Sequence, residues 1–273
     1  VRDGRYYRQS ESRWIQRFRC RSCGTRFSYA TGTLEFGQRK RRVNPQLRRL
    51  LCSGVSMRRC ARILGINKNT VERKLIYLAK KAKRSHEHFL KELRGRVVHL
   101  QFDDLITSEH TKMKPLTVSL AVDAKSRAIL GAKVERIAAF GHLAELSRRK
   151  YGRRQSFHQR GLERLFKQIS ATVAPAALIE SDEHKRYPSV VGRFLPGRTY
   201  RQYTGGRGAV VGQGELKKLR HDPLFILNHS CAMLRANINR LIRKTWCTTK
   251  CPLRLQRHLD LYVEFHNKEY LAL

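Results

Sequence analysis

Two aspartates stand just behind short apolar runs of the sequence, where a strand would carry a carboxylate at its end. Asp103 follows Val97–Phe102, and Asp182 follows Ala176–Glu180 by two residues. If the two runs are neighbouring strands of one sheet, their carboxyl ends bring both side chains to one metal ion. Such oxygen ligands hold Mg²⁺, and two ions can activate a water or a 3′-hydroxyl and stabilise the leaving oxygen in phosphoryl transfer. The alternative for each aspartate is a turn or cap residue.

A third ligand is expected on the helix predicted over Pro223–Thr245. Asn228 and Arg235 are seven residues apart, which is close to two helical turns, so their side chains share one face. An amide oxygen and a cation on that face could hold a metal ion and a phosphate, respectively. The alternative acids are Glu215 and Asp222, which lack a basic partner at helical spacing.

Three further residues near these positions leave two interpretations open. Asp104 and Glu183 adjoin the proposed ligands, and each is either a group that tunes its neighbour or a solvated acid. Trp246 is expected to pack in the interior, and the alternative is a stack on an unpaired base.

The order of the elements supports this placement. From Arg96 onward, three apolar runs with short connections predict an antiparallel meander. The elements predicted after it are a helix at 162–173, a strand at 176–180, a short helix at 188–194, a strand at 198–203, a Gly-rich loop at 205–208, and helices at 223–245 and 253–270. This order is that of a ribonuclease H-like fold, an α/β domain over residues 95–273 with a mixed five-stranded sheet and flanking helices.

Residues 1–38 contain a Cys-x-x-Cys pair, Cys20 and Cys23, followed by Gly24 and Phe27. The spacing is typical of one knuckle of a zinc ribbon, in which backbone amides point at two thiolates that bind one ion. A structural site needs four ligands, so the pair is half a Zn²⁺ site, and a complete site needs two more ligands upstream. The other cysteines are best explained as small buried apolar groups, at Cys52, Cys60, Cys231, Cys247 and Cys251.

Residues 44–83 have helical periodicity interrupted by one tight turn, which predicts a helix-turn-helix. Ser56 and Asn67 are candidate N-caps of its two helices, and Gly65 can take the left-handed conformation that ends the first. The buried stripe of the second helix is expected at Val71, Leu75 and Leu78. Its exposed face, suited to base edges and phosphates, is expected at Lys68, Asn69, Thr70, Arg73 and Lys74. The alternative is a generic helical hairpin.

The charge of the chain favours an anionic partner. There are 58 Lys and Arg against 21 Asp and Glu, a net charge of +37, and the hydrophobic fraction of 41% is ordinary for a folded protein. Nucleic acid is the usual partner of such a surplus, because Lys and Arg displace the counterions of phosphates. No apolar run reaches the length of about 18 residues that a membrane-spanning helix needs. The odd number of cysteines indicates a reducing cytoplasm, where the protein would lie with the nucleoid.

Together these features resemble the bacterial and archaeal insertion-sequence transposases of the DDE class that carry an N-terminal zinc ribbon, the ISXO-like group and its relatives. The resemblance covers nearly the whole chain, and the order of its short motifs makes it specific. The motifs are Phe18–Cys23 with Phe27 and Ser28, the helix-turn-helix Ser56–Leu78, Leu100–Asp104, Ser181 and Asp182 with Tyr187 and Pro188, Asn228–Arg235, and Leu255–Asp260 with Phe265–Asn267.

The resemblance implies a ribonuclease H-like catalytic domain, two Mg²⁺ or Mn²⁺ ions, terminal inverted-repeat DNA as substrate, and a homodimer or higher multimer on DNA. Asp103 and Asp182 match the first two acids of the family pattern. Asn228 falls where most members have the third acid, and Arg235 falls where a Lys or Arg follows. Some relatives use Asn at the third position.

Two other functions remain compatible with the sequence. The first is a DNA-binding regulator without catalysis, either an inactive transposase relative or a repressor. The second is a nuclease or resolvase of the same fold, which would cleave branched or RNA–DNA hybrid substrates without joining strands. Metal-dependent DNA cleavage would distinguish a transposase from the regulator. Joining of the cleaved strands would distinguish a transposase from the nuclease or resolvase.

Overall fold

The computed structural model describes residues 1–204, 222–242 and 246–271. Its N-terminal part is a three-stranded antiparallel sheet of β1 (Arg2–Arg8), β2 (Arg13–Arg19) and β3 (Arg26–Phe27). Three helices follow, namely α1 (Asn44–Leu51), α2 (Met57–Ile63) and α3 (Lys68–Glu92). The remainder alternates strands and helices: β4 (Val97–Ser108), β5 (Pro115–Asp123), β6 (Ile129–Arg136), α4 (Leu143–Tyr151), α5 (His158–Ile169), β7 (Val173–Asp182), α6 (Tyr187–Phe194), β8 (Thr199–Tyr203), α7 (Phe225–Asn237) and α8 (Pro252–Glu269).

The strands β4 to β8 form one mixed sheet in the order β6-β5-β4-β7-β8. The first three are antiparallel, as the predicted meander requires, and β7 and β8 run parallel to β4. The chain therefore has an α/β fold with a five-stranded mixed sheet flanked by helices, which is compatible with the ribonuclease H-like expectation.

Both faces of the sheet are covered, so β5 is buried along its whole length. One face packs against α5 and α6, with Phe102 between Phe166 and Tyr187. The other face packs against α7, α8 and the α1–α3 helices in one continuous core. Helix α5 approaches closely, because a Cβ at Gly131 of β6 would lie 2.8 Å from Leu165 Cδ1.

The local signals predicted for the α1–α3 region are confirmed. The Ser56 side chain accepts a hydrogen bond from Arg59 N, and the Asn67 side chain accepts one from Asn69 N. Gly65 has a φ of +59°, in the left-handed region. The buried stripe lies where it was expected, at Val71, Leu75 and Leu78.

The prediction that Lys74 is exposed is wrong. Its side chain is buried, and Nζ donates to Asn44 Oδ1 at 2.6 Å and to Arg39 O at 2.9 Å. Lys74 is therefore a structural cation that joins α3 to the first residue of α1 and to the segment before it. Lys68, Asn69 and Arg73 are exposed as predicted, and Thr70 is half-buried.

Several predicted element bounds need correction. Strand β4 continues to Ser108, so Asp103 lies inside the strand and not at its end. Helix α7 ends at Asn237, well before Thr245, and a 3₁₀ turn follows at Asn239–Leu241. The Gly-rich loop at 205–208 and Glu215 lie outside the described residues. Helix α3 continues to Glu92, beyond residue 83, where the predicted helix-turn-helix region ends.

Two expectations about buried side chains fail near the C-terminus. Trp246 was expected to pack, but its side chain is fully exposed. Cys247 is exposed and Cys251 is partly exposed, whereas Cys52, Cys60 and Cys231 are buried as predicted. Among the described residues, no helix is long and apolar enough to cross a bilayer.

We predict that Lys74→Ala lowers the free energy of unfolding by about 1–3 kcal/mol, because it leaves buried oxygen acceptors without a donor. Denaturant unfolding followed by circular dichroism measures this loss. The matched control is Lys68→Ala, which removes an exposed lysine from the same helix and is expected to change stability by less than about 0.5 kcal/mol. Equal stability of the two variants would contradict the buried role of Lys74.

Candidate active site

The candidate site lies where two parallel strands part. The register pairs of β4 and β7 include Gln101 with Glu180 and end at Phe102 with Ser181. Strand β7 stops at Asp182, while β4 continues along β5. Asp103 and Asp182 therefore occupy the next equivalent positions on the two strands, at the edge of a notch in the sheet.

The Asp103 and Asp182 carboxyl groups lie close enough that each affects the pKa of the other. The structure therefore places these two residues side by side. Burial, and then the negative charge of Asp182, raises the pKa of Asp103 to about 8. Burial also raises the pKa of Asp182. At neutral pH the pair therefore shares a proton, because two buried carboxylates in contact repel each other when both are ionised.

One oxygen of this pair lacks a partner. Asp182 Oδ1 is buried and accepts no hydrogen bond from the described part of the chain. A buried carboxylate oxygen without a donor is unfavourable, and native proteins usually satisfy such a group with water or an ion. The oxygen is therefore suited to accept a cation.

Asp104, the next residue of β4, has a different environment. Its Oδ1 accepts hydrogen bonds from Thr117 Oγ1 at 2.7 Å and Ser119 Oγ at 2.6 Å. Its Oδ2 accepts from Tyr187 Oη at 2.8 Å and contacts His158 Nε2. Burial alone would raise the pKa of Asp104, but these hydrogen bonds and the charge of His158 lower it overall. Asp104 is thus an ionised carboxylate whose oxygens are already occupied.

The Tyr187 hydroxyl connects Asp104 to the carboxyl pair. It lies 3.1 Å from Asp103 Oδ1 as well as 2.8 Å from Asp104 Oδ2, so one proton is shared between two acceptors. Burial, and then the charges of Asp104 and Asp103, raises the pKa of Tyr187 far above its ordinary value. The hydroxyl therefore stays protonated and remains a donor. The His184 ring packs against the Tyr187 ring, with centroids 4.7 Å apart.

On the other face of the sheet, Gln101 fastens α7 to β4. Its Nε2 donates to Pro223 O at 2.7 Å, and its Oε1 accepts from Leu227 N at 3.2 Å. The same Nε2 donates to Glu180 Oε2 at 2.9 Å, and Tyr203 Oη donates to Glu180 Oε1 at 2.6 Å. This buried network fixes the first turn of α7 beside the two aspartates.

Helix α7 presents Cys231 towards the aspartates, with Asn228 three residues before it and Arg235 four residues after it. Burial, and then the charge of Asp103, raises the pKa of the Cys231 thiol to about 12, and Arg235 acts on the same thiol in the opposite direction. Asn228 itself is exposed, and its Nδ2 donates to Asp222 Oδ2 at 2.9 Å. The structure therefore brings Asp103 and Asp182 together but leaves Asn228 bonded to Asp222, one of the alternative acids.

The roles of four residues were missed by reasoning from the sequence: His158, Tyr187, Thr117 and Ser119. A signal for the last two was present, because Thr117 and Ser119 alternate with apolar residues in the run Leu116–Val122 and so share one face of a strand. Ser119 lies directly opposite Asp104 in the register. His158 had no comparable signal, because a tertiary contact from α5 brings it to Asp104. Glu183, the other neighbouring acid, is exposed.

The donor chemistry of the pair fits Mg²⁺. This ion is commonly held by one or two protein carboxylates together with water and substrate phosphate, and not by a cage of protein ligands alone. Asp103 and Asp182 supply two carboxylates, and the bare Asp182 Oδ1 supplies a position for a cation. Within the described residues, no group of three or more His, Cys, Asp or Glu side chains is arranged to hold a metal ion.

The Cys20 and Cys23 pair lies in a tight turn. Backbone N–H groups of Cys23 and Ser22 donate to the Cys20 sulfur and lower the pKa of its thiol to about 7. Gly24 closes the turn at a φ of +70°, and its N–H donates to Cys20 O at 3.1 Å. Two thiols are half of a tetrahedral zinc site.

No protein-family model matches the sequence, and no curated protein is significantly similar to it.

We predict that the metal-free protein loses stability as the pH rises, because the folded chain keeps a proton on Asp103. The loss extends from the ordinary aspartate pKa of about 4 up to the raised value of about 8. Asp103→Asn should remove this pH dependence. At the upper end of the pH range its melting temperature should be several degrees higher than that of the unmodified protein. A stability difference of about 1 kcal/mol corresponds to about 2–4 °C in a domain of this size.

Thermal unfolding in chelator across this pH range provides the measurement. Glu145→Gln, which removes one exposed carboxylate from α4, is the charge-matched control and should follow the unmodified protein. Parallel curves for Asp103→Asn and the unmodified protein would show that Asp103 is ionised throughout.

Proposed function

We propose that this chain is a DNA transposase of the DDE class, which cleaves and joins DNA strands at the ends of an insertion sequence. The observation that carries the proposal is the buried contact between Asp103 and Asp182 at neighbouring positions of two parallel strands. Two carboxylates in contact, with one bare oxygen, are the ligands expected of a phosphoryl-transfer site with divalent cations.

The architecture supports this function. The strand order and directions are compatible with a ribonuclease H-like catalytic domain, the finer fold that we propose for residues 95–273. Mg²⁺ or Mn²⁺ bound at Asp103 and Asp182 would supply charge neutralisation and activation of the attacking oxygen. The chain's own residues hold the site in place: Tyr187 donates to the carboxylates, and the Gln101 network fixes α7. We assign Asn228 as the third ligand and Arg235 as the phosphate partner.

The N-terminal third carries the proposed recognition of DNA. We assign α2 and α3 as a helix-turn-helix, in which Lys68, Asn69, Thr70 and Arg73 meet base edges and phosphates. Cys20 and Cys23 are assigned as half of a zinc ribbon. Residues 1–95 contain 26 basic and 6 acidic residues, a net charge of +20, which favours double-stranded DNA as the partner. The active form would be a dimer or higher multimer on DNA in the cytoplasm.

Two observations favour a second candidate, a DNA-binding regulator without catalysis. The Asn228 amide is exposed and bonded to Asp222, and not to either aspartate of the pair. The Tyr187 hydroxyl also contacts Asp103 Oδ1, an oxygen that a metal ion would need. If these contacts persist on DNA, the chain binds without cutting.

We predict Mg²⁺-dependent cleavage of plasmid DNA that carries the coding gene with its flanking terminal repeats. Asp103→Ala and Asp182→Ala should reduce cleavage to background, because each removes a carboxylate of the pair, and Glu145→Gln should cleave normally. Electrophoresis of end-labelled fragments measures the reaction. Joining of the released ends to a second plasmid separates a transposase from a nuclease. Equal behaviour of the unmodified protein and both aspartate variants would exclude the enzyme and leave the regulator.

Asn228 has a separate test, in which the cleavage rate is measured against Mg²⁺ concentration. We predict that Asn228→Ala raises the Mg²⁺ concentration that gives the half-maximal rate by at least about tenfold. Loss of a residue that only supports a metal ligand usually weakens metal binding by that much, and loss of a ligand should weaken it at least as strongly. Asn228→Asp should lower that concentration, because a carboxylate binds Mg²⁺ better than an amide. An unchanged metal dependence in both variants would exclude Asn228 as a ligand.

A further inference from the structure

A cavity of about 460 Å³ opens beside the candidate active site. Most of its wall comes from Ile106 to Ser108 at the end of β4, Phe140 to Leu143 around the start of α4, and Arg235 with Arg240 to Ile242 at and after the end of α7. Lys112, Pro115 and Thr248 complete the lining. The volume lies within the range of about 300–1,000 Å³ that is typical of ligand pockets. The proposed catalytic residues other than Arg235 do not line it, so it is a distinct space.

The lining combines apolar surface with positive charge. Phe140 is 62% exposed and Ile106 is 43% exposed, although both are large apolar side chains. Lys112, Arg235 and Arg240 supply three cations, and no Asp or Glu of the described chain contributes to the wall. An aromatic face together with cations and no acid complements a ligand that has a flat ring and a phosphate.

Arg240 strengthens this conclusion. It takes part in no ion pair among the described residues, and its guanidinium lies 3.7 Å from Met57 Sδ. Burial lowers the pKa of Arg240, which reflects the unfavourable removal of its charge from water. A largely buried cation without a carboxylate is costly unless an anion comes to it. Arg240 therefore gives the cavity a position for a phosphate.

The cavity lies further along the strand that carries Asp103. Thr107 lines it and follows Asp103 by four residues, so the two side chains share one face of β4 about 13 Å apart along the strand. Arg235 connects the two places: it lines the cavity, and it lies on α7 four residues after Cys231, which that helix presents towards the aspartates. Trp246, which is fully exposed, precedes the lining residue Thr248 by two residues.

We propose that this cavity binds one unpaired nucleotide of the DNA end, next to the phosphodiester held at Asp103 and Asp182. The base stacks on Phe140 and contacts Ile106, while a phosphate pairs with Arg240. This inference rests on the proposed function, because it takes the strand end at the aspartates as the substrate. It also specifies that the substrate is unpaired beside the site of reaction.

The test uses a short duplex with a single-stranded 3′ overhang that carries 2-aminopurine, whose emission rises when the base leaves the DNA stack. The full chain is mixed with this DNA in chelator, so that binding is measured without cleavage. We expect an increase of emission with the unmodified protein and tighter binding of the overhang duplex than of a blunt duplex. Phe140→Ala should abolish the emission change and weaken overhang binding by about five- to one-hundredfold, as loss of one base–aromatic stack does.

Three variants control this result. Phe140→Tyr keeps an aromatic face and should behave like the unmodified protein, and Leu146→Ala removes an exposed apolar side chain from α4 outside the cavity and should do the same. Arg240→Gln should reduce the slope of log affinity against log salt by about one, the effect of losing one phosphate contact. Circular dichroism establishes that each variant is folded.

The outcomes separate the two proposals. Unchanged emission, equal affinity for overhang and blunt DNA, or identical behaviour of Phe140→Ala and Leu146→Ala would overturn the nucleotide site even if Mg²⁺-dependent cleavage is observed. An emission change that depends on Phe140, in a protein that does not cleave, would support the site and refute the transposase. Absence of DNA binding would refute both.

Discussion

The structure around the site depends on one constraint, the contact of two buried carboxyl groups. The parallel pairing of β4 and β7 holds the backbones of Asp103 and Asp182 side by side, because they occupy the position next to the last register pair. Their mutual repulsion must therefore be relieved by a positive charge held between them. In the absence of other ligands that charge is a proton, which is why the pKa of Asp103 is raised to about 8.

The alternation of side chains along β4 gives its two consecutive acids different roles. Asp104 faces α5 and α6, where hydroxyl groups and His158 hold it ionised. Asp103 faces α7, whose first turn is held to the sheet by Gln101. Tyr187, at the edge of the sheet, contacts both acids. Asp104 thus positions the Tyr187 hydroxyl that donates to Asp103. Exchanging the environments of the two acids would require a shift of the β4 register by one residue.

The parts of the fold that could be predicted from the sequence are those set by local patterns. Apolar runs located β4 to β7, and capping side chains located the turn between α2 and α3. The end of β4 was missed because Asp103 and Asp104 interrupt its apolar run, whereas the pairing with β5 continues to Ser108. Lys74 was misassigned because its acceptors come from a separate segment. For the same reason, the spacing of Asn228 could not reveal its bond to Asp222.

The protein as a whole is positively charged, whereas the candidate site consists of acidic side chains, and this difference bears on function. A net charge of +37 attracts a polyanion to the whole surface. At the notch, however, a phosphate would meet Asp103, Asp104 and Asp182 together, so the attraction would end in local repulsion. The repulsion disappears only when positive charge lies between the carboxylates and the phosphate. A regulator that only binds DNA gains nothing from buried acids at this position, whereas an enzyme that must polarise a phosphodiester requires them. The placement of the acids therefore favours catalysis over binding alone.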